Sequence, residues 1–276
     1  MDKEFWAEIQ KDKYEIPAGH TLAELTRELF SYLGSTDPQL RDDIGYTVFA
    51  NWLKQDRYSV EEMRGYIKEL LANLHIGIGE TESNSVFLRT FSVLFLAEIV
   101  HNDNKKSLLD KADITLVLEQ GLWYIATEKD SRGYIPITGW AHALAHTADL
   151  MMVLGRNRHL EEPDLLNILN AISERIIHST NHIYIHGEDE RLASAANQIL
   201  RRGLISNEKI EAWSKSFTEH DWADAYTDEE HNRAFQNTRN LLRSIYLELN
   251  MYEEELPGQG EFEKFFFEAL KNLRPY

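Results

Sequence analysis

The sequence predicts an all-α protein, arranged as a HEAT/ARM-like α-α superhelix or, as the alternative, an irregular multi-helix bundle. Three observations predict it. Glycine and proline number only 14 and 6 among 276 residues, too few for the many turns of an all-β fold. Apolar residues recur at helical spacing in segment after segment. Two helix starts also read alike: Asp37-Pro38-Gln39-Leu40 and Asp189-Glu190-Arg191-Leu192 each place Leu three residues after Asp and run on into an apolar stretch. Stacked helical pairs have this look. The period between them is irregular, which keeps the bundle open.

Taken in order, Ala23 to Leu33 is amphipathic. Asp37 then suits an N-cap, with Pro38 in the first turn where its missing N–H costs nothing. That helix sets Leu40, Ile44, Val48, Phe49 and Trp52 along one side. Ser59 and Glu62 have capping-box spacing and open a helix towards Leu74. Further helices are predicted over Val86–Val100, Ile114–Thr127, Thr138–Leu154, Pro163–Ile177 and Asp189–Leu204, then Asn207–Phe217, Asp228–Leu249 and Glu261–Leu273. The one strand-like piece, His182 to His186, alternates polar and apolar over too few residues to matter. No Pro/Gly/Ser-rich linker divides the chain, so residues 1–276 are expected to form a single domain, with Leu256 to Gly260 as a hinge.

Composition narrows the function classes. Hydrophobic residues at 43% and charged residues at 27% fit a globular chain. A net charge of −17 opposes nucleic acid, whose phosphates need clustered Lys and Arg. The absence of cysteine excludes disulfides, zinc-thiolate sites and thiol nucleophiles. Met1 to Trp6 is charged and unlike a secretory signal. Apolar runs such as Val93 to Val100 are short for a bilayer span. The expectation is a cytoplasmic protein with no membrane partner and no oligomeric state indicated.

The chemistry concentrates between Thr138 and Gly155. On a helical wheel with His142 at zero, His146 falls at about +40° and Asp149 at about −20°. The three would share one narrow face. Asp149 is the sole charged residue of the stretch, whereas a surface helix shows a charged side. This helix is therefore expected inside the protein, where His and Asp must find partners. Three readings stay open: side chains bonded to one another as architecture, a divalent-metal site, or a groove that binds a small molecule or peptide. Ala143 stands where the zinc-helix motif has its Glu, which opposes a metalloprotease, and no metal or cofactor is assigned.

Neighbouring residues join the candidate ligand-binding set. Besides Trp140, His142, His146 and Asp149 it includes Asp130 and Arg132 on the turn before the helix. It also includes Glu188 at a helix start, and Arg89 and Arg243 inside apolar helices. A charged loop, a helix dipole favouring acids, and pairing of the arginines with Asp42, Asp43 or Glu98 explain the same residues without function. His178, His182 and His186 are spaced by four but straddle a helix end around Ser179, and read as a loop cluster.

The run Gly139 to Leu150, GWAHALAHTADL, resembles the signature of a bacterial family, Domain of Unknown Function 2785. Asp37 to Asp42 with Tyr46 and Trp52, Arg89 to Ser92, Glu188 to Ala193 and Arg243 to Tyr246 fit the same family in order. The resemblance implies a helical domain centred on the Trp140–Asp149 seam and supplies no activity. A binding protein with a groove lined by His142, His146 and Asp149 is expected. The alternative is a hydrolase using the same cluster, metal-assisted or with His146 beside Asp149 as general base, and a third reading is a scaffold for basic partners. No nucleophile, phosphate-loop or dinucleotide motif accompanies the seam.

Overall fold

Ser59 and Glu62 make the reciprocal cap their spacing predicts: the Glu62 amide donates to the Ser59 hydroxyl, and the Ser59 amide donates to the Glu62 carboxylate at 2.8 Å. The Asp2, Thr21 and Asp110 side chains likewise accept from first-turn amides in the computed structural model, which describes residues 1–178, 180–251 and 258–274. Ser179, Leu256 and Pro257, placed by the sequence at a helix end and a hinge, lie outside the described residues. The first helices are α1 (Lys3–Lys11), α2 (Leu22–Ser31), α3 (Thr47–Lys54), α4 (Val60–Asn73), α5 (Ser85–Lys106) and α6 (Lys111–Thr127). They are followed by α7 (Ala143–Gly155), α8 (Glu162–Ile177), α9 (Glu188–Leu200), α10 (Asn207–Glu219), α11 (Glu229–Met251) and α12 (Gln259–Asn272).

The protein is all-α. Helices α3, α5, α7, α9 and α11 pack each on the next, and α4, α6, α8, α10 and α12 form a second row. Alternate helices stack as a helical-pair array would place them, yet the helices range from 8 to 23 residues. No repeat of fixed length underlies them. One buried apolar cluster runs through both rows from Trp6 to Leu273. Helix α7 lies between α5 and α9 and is buried on almost every side, as its missing charges predict.

Four expectations change in detail. Gln39–Tyr46 is a π-helical stretch leading into α3, where the Thr47 amide donates to the Asp42 carbonyl five residues back. A 3.6-residue period does not reveal such widening. The helix expected from Thr138 begins only at Ala143, because His142 takes a left-handed backbone, φ 52 and ψ 34. His182–His186 forms no strand, as so short an alternation implies, whereas among the described residues β1 (Tyr134–Ile135) and β2 (Gly139–Trp140), which periodicity does not announce, pair as an antiparallel hairpin. Val93–Val100 belongs to the 22-residue α5. That helix is long and apolar enough to cross a membrane, but 72% of its apolar window is buried inside the protein.

Candidate functional site

Arg41 sets the position of the hairpin. Its guanidinium is buried over the Phe87 ring at 4.0 Å and donates to the Thr138 and Trp140 carbonyls at 2.8 and 3.1 Å. The π-helical stretch thus presents a fixed cation to the far arm of the hairpin. Gly139 has φ +77 and packs so closely on Pro38 that a Cβ would lie 2.9 Å from the proline side chain. Past it, the Ala141 and His142 amides donate to the Gly133 and Arg132 carbonyls at 2.8 and 3.2 Å. His142 is thereby held on the 130–133 segment just before α7 starts.

Four rings gather there. The Trp140 ring lies 4.1 Å from His142 and 5.4 Å from His186, centroid to centroid. His142 is 5.7 Å from His146 and 6.3 Å from His186. His146 is anchored to α5: its Nδ1 meets the Thr90 hydroxyl at 2.9 Å and the Thr90 carbonyl at 3.3 Å. His142 Nε2 and His186 Nδ1 are buried with no hydrogen-bond partner. The nearest carboxylate oxygen to His186 Nδ1, Glu188 Oε1, is 3.9 Å away, too far for a hydrogen bond.

Burial favours the neutral form of His142 and His146. His142 is pushed down to about 4, first by burial and then by Arg191 and His186. His146 lies well below the ordinary histidine range, chiefly through burial, with His142 and Arg191 adding to it. Asp149 moves the other way, pushed up to about 6 by burial against the pull of Arg191. Arg191 donates to Asp149 Oδ2 at 2.7 Å. The expected His146–Asp149 general-base pair is therefore not formed: each group has a different partner.

The structure brings Trp140, His142 and His146 together and sets Glu188 beside them, where its carboxylate accepts from the His186 amide at 2.8 Å. Asp130 and Arg132 grip each other, with Arg132 Nη2 at 2.6 Å, and brace the segment under His142. Arg89 is committed to Glu128 rather than to Asp42, Asp43 or Glu98. Arg243 is exposed and donates to Asn240, apart from the cluster. Among the described residues no group of three His, Cys, Asp or Glu side chains is arranged to hold a metal ion. A cavity of about 740 Å³ lies elsewhere, lined by Ile125, Ser131, Arg175, His178 and Tyr184 among others and by none of the clustered imidazoles. The imidazoles make the better candidate because unpartnered ring nitrogens from two separate segments meet there.

His186 and Gly133 escaped the sequence reading. Spacing by four suggested only a loop cluster, and a loop's path is not written in its periodicity. The available signal was Glu188 at the next helix start, two residues from His186. Gly133 exists as glycine because a Cβ there would be driven into the His186 imidazole. Gly133→Ala is expected to cost about 1–3 kcal/mol through overpacking, seen as a lower melting temperature. His186→Ala in the same chain should restore most of it. An unchanged melting temperature in the single variant would show that His186 has another place to go.

These features define an all-helical protein organised around a buried imidazole cluster roofed by a tryptophan. The chain belongs to the DUF2785 family, whose description is "Protein of unknown function" and whose profile matches residues 74–247. That span includes His142, His146, His186 and Trp140. Neither a curated protein nor a solved structure matches the chain.

Proposed function

We propose that this chain is a binding protein that receives a polar ligand at His142 and His186 beneath the Trp140 hairpin. One observation supports the reading above the others: two buried ring nitrogens, His142 Nε2 and His186 Nδ1, have no partner. A buried polar atom left unpaired costs about 1–3 kcal/mol, so a fold gains nothing by keeping two together. A ligand that bonds both recovers that cost on binding. The left-handed backbone at His142 is a second local expense of the kind found at binding sites.

The test compares two histidines of one helix end. His142→Phe keeps a ring against Trp140 and removes the unpaired nitrogen, so the melting temperature should hold or rise. His146→Leu strips the Thr90 hydroxyl of its partner and should cost about 1–3 kcal/mol. Equal destabilisation by the two would make His142 part of the architecture and end the binding reading.

A further inference from the structure

The imidazole cluster is bordered by apolar side chains that the fold does not use. Tyr134 is 53% exposed, Ile137 94%, and Ile185, next to His186, 73%. Tyr134 packs its ring edge on Trp140 at 4.9 Å, so the rim is continuous with the roof of the site. Ile137, at the hairpin turn, has φ +75. A β-branched residue avoids this left-handed region, which turns normally fill with glycine or asparagine. Ile137 is thus both strained and solvated, and neither contributes to folding.

His142 and His146 under the rim are held in the neutral form by burial. A neutral imidazole offers one N–H and one lone pair, which match the carbonyl and N–H of an amide. A bound anion would meet the Glu188 carboxylate beside His186 and, at His142, a ring whose burial resists taking up a proton. Two copies of a chain with net charge −17 repel each other, and an anionic membrane repels it too. A neutral partner with apolar side chains meets neither barrier.

Resting on the binding reading above, we propose that the ligand is an extended apolar peptide segment, with a backbone amide bonded to His142 and His186 and side chains covering Tyr134, Ile137 and Ile185. The His142 and His186 ring centroids are 6.3 Å apart. The rim supplies the additional contact that a single amide cannot fill.

Ring-nitrogen NMR of the full chain, with His142 and His186 assigned through single variants, tests this with three probes. These are the blocked tetrapeptide acetyl-Ala-Leu-Ala-Leu-amide, N-acetyl-leucinamide and inorganic phosphate. Both amides are expected to shift His142 and His186, the tetrapeptide binding at least about tenfold more tightly. Ile137→Asp should abolish that advantage and leave N-acetyl-leucinamide unchanged. Equal affinity of the two amides overturns the peptide and leaves a small-amide site. Shifts with phosphate and none with the amides overturn the peptide while the binding site stands. No shift with any probe overturns both.

Discussion

Arg89→Met is expected to destabilise the protein by about 3–5 kcal/mol, lowering the melting temperature by roughly 10 °C or more. Arg89 has no exposed surface, and its guanidinium donates to both Glu128 oxygens, at 2.6 and 3.1 Å. Its Nη1 also donates to the Ile76 and Gly77 carbonyls and to the Ser85 hydroxyl. Removing the cation leaves a carboxylate that is itself buried, with the Tyr124 hydroxyl and the Asp130 amide as its remaining donors among the described residues. Desolvation of that unpaired charge is the large term; the lost hydrogen bonds add to it. Adding Glu128→Gln removes the charge while keeping an acceptor, so the double variant should recover about half of the loss. Thermal melts of the wild type and both variants decide it. A single variant within a degree or two of wild type would mean that water reaches Glu128 and that the pair is not structural.

Arg89 also shows where sequence reading stops. Its apolar neighbours Leu88 and Phe91 mark it as buried, and buried arginine implies a carboxylate partner. Which carboxylate is a tertiary fact: Glu128 lies 39 residues on, just after α6, and no local pattern points to it. Helix α7 divides the same way. Its lack of any charge but Asp149 between Thr138 and Gly155 foretells burial, and burial is observed. The wheel fails at its first residue, because Gly139, Arg41 and the Arg132 and Gly133 carbonyls hold Thr138 to His142 in a hairpin and a left-handed cap. Within the helix, Asp149 pairs with Arg191 rather than with a histidine. Helix existence rests on periodicity, which the sequence displays; the site depends on where loops run, and these follow from long-range contacts.

Acid should unfold the protein along a slope set by this site. His142 has its folded pKa pushed down to about 4 from 6.5, mainly by burial. Below 6.5 the unfolded chain takes a proton that the folded one refuses, so the contribution is full above 6.5 and is lost as pH falls through 4. The gap corresponds to about 3 kcal/mol. His146, fully lodged against Thr90 and Phe91, acts in the same direction. Asp149 opposes them. Its folded pKa is raised to about 6 from 3.8, so the folded state binds a proton that the unfolded state releases. That contribution is present below 3.8, is lost as pH rises through 6, and returns about 3 kcal/mol on acidification. Urea midpoints measured between pH 7 and 4.5 should therefore fall more shallowly in His142→Phe than in wild type, and more steeply in Asp149→Asn. If Asp149→Asn follows the wild-type curve, Arg191 holds the carboxylate ionised throughout and the offset does not exist. If His142→Phe keeps the wild-type slope, His142 meets water in the folded protein, and the unpartnered nitrogen that supports the binding site is solvated.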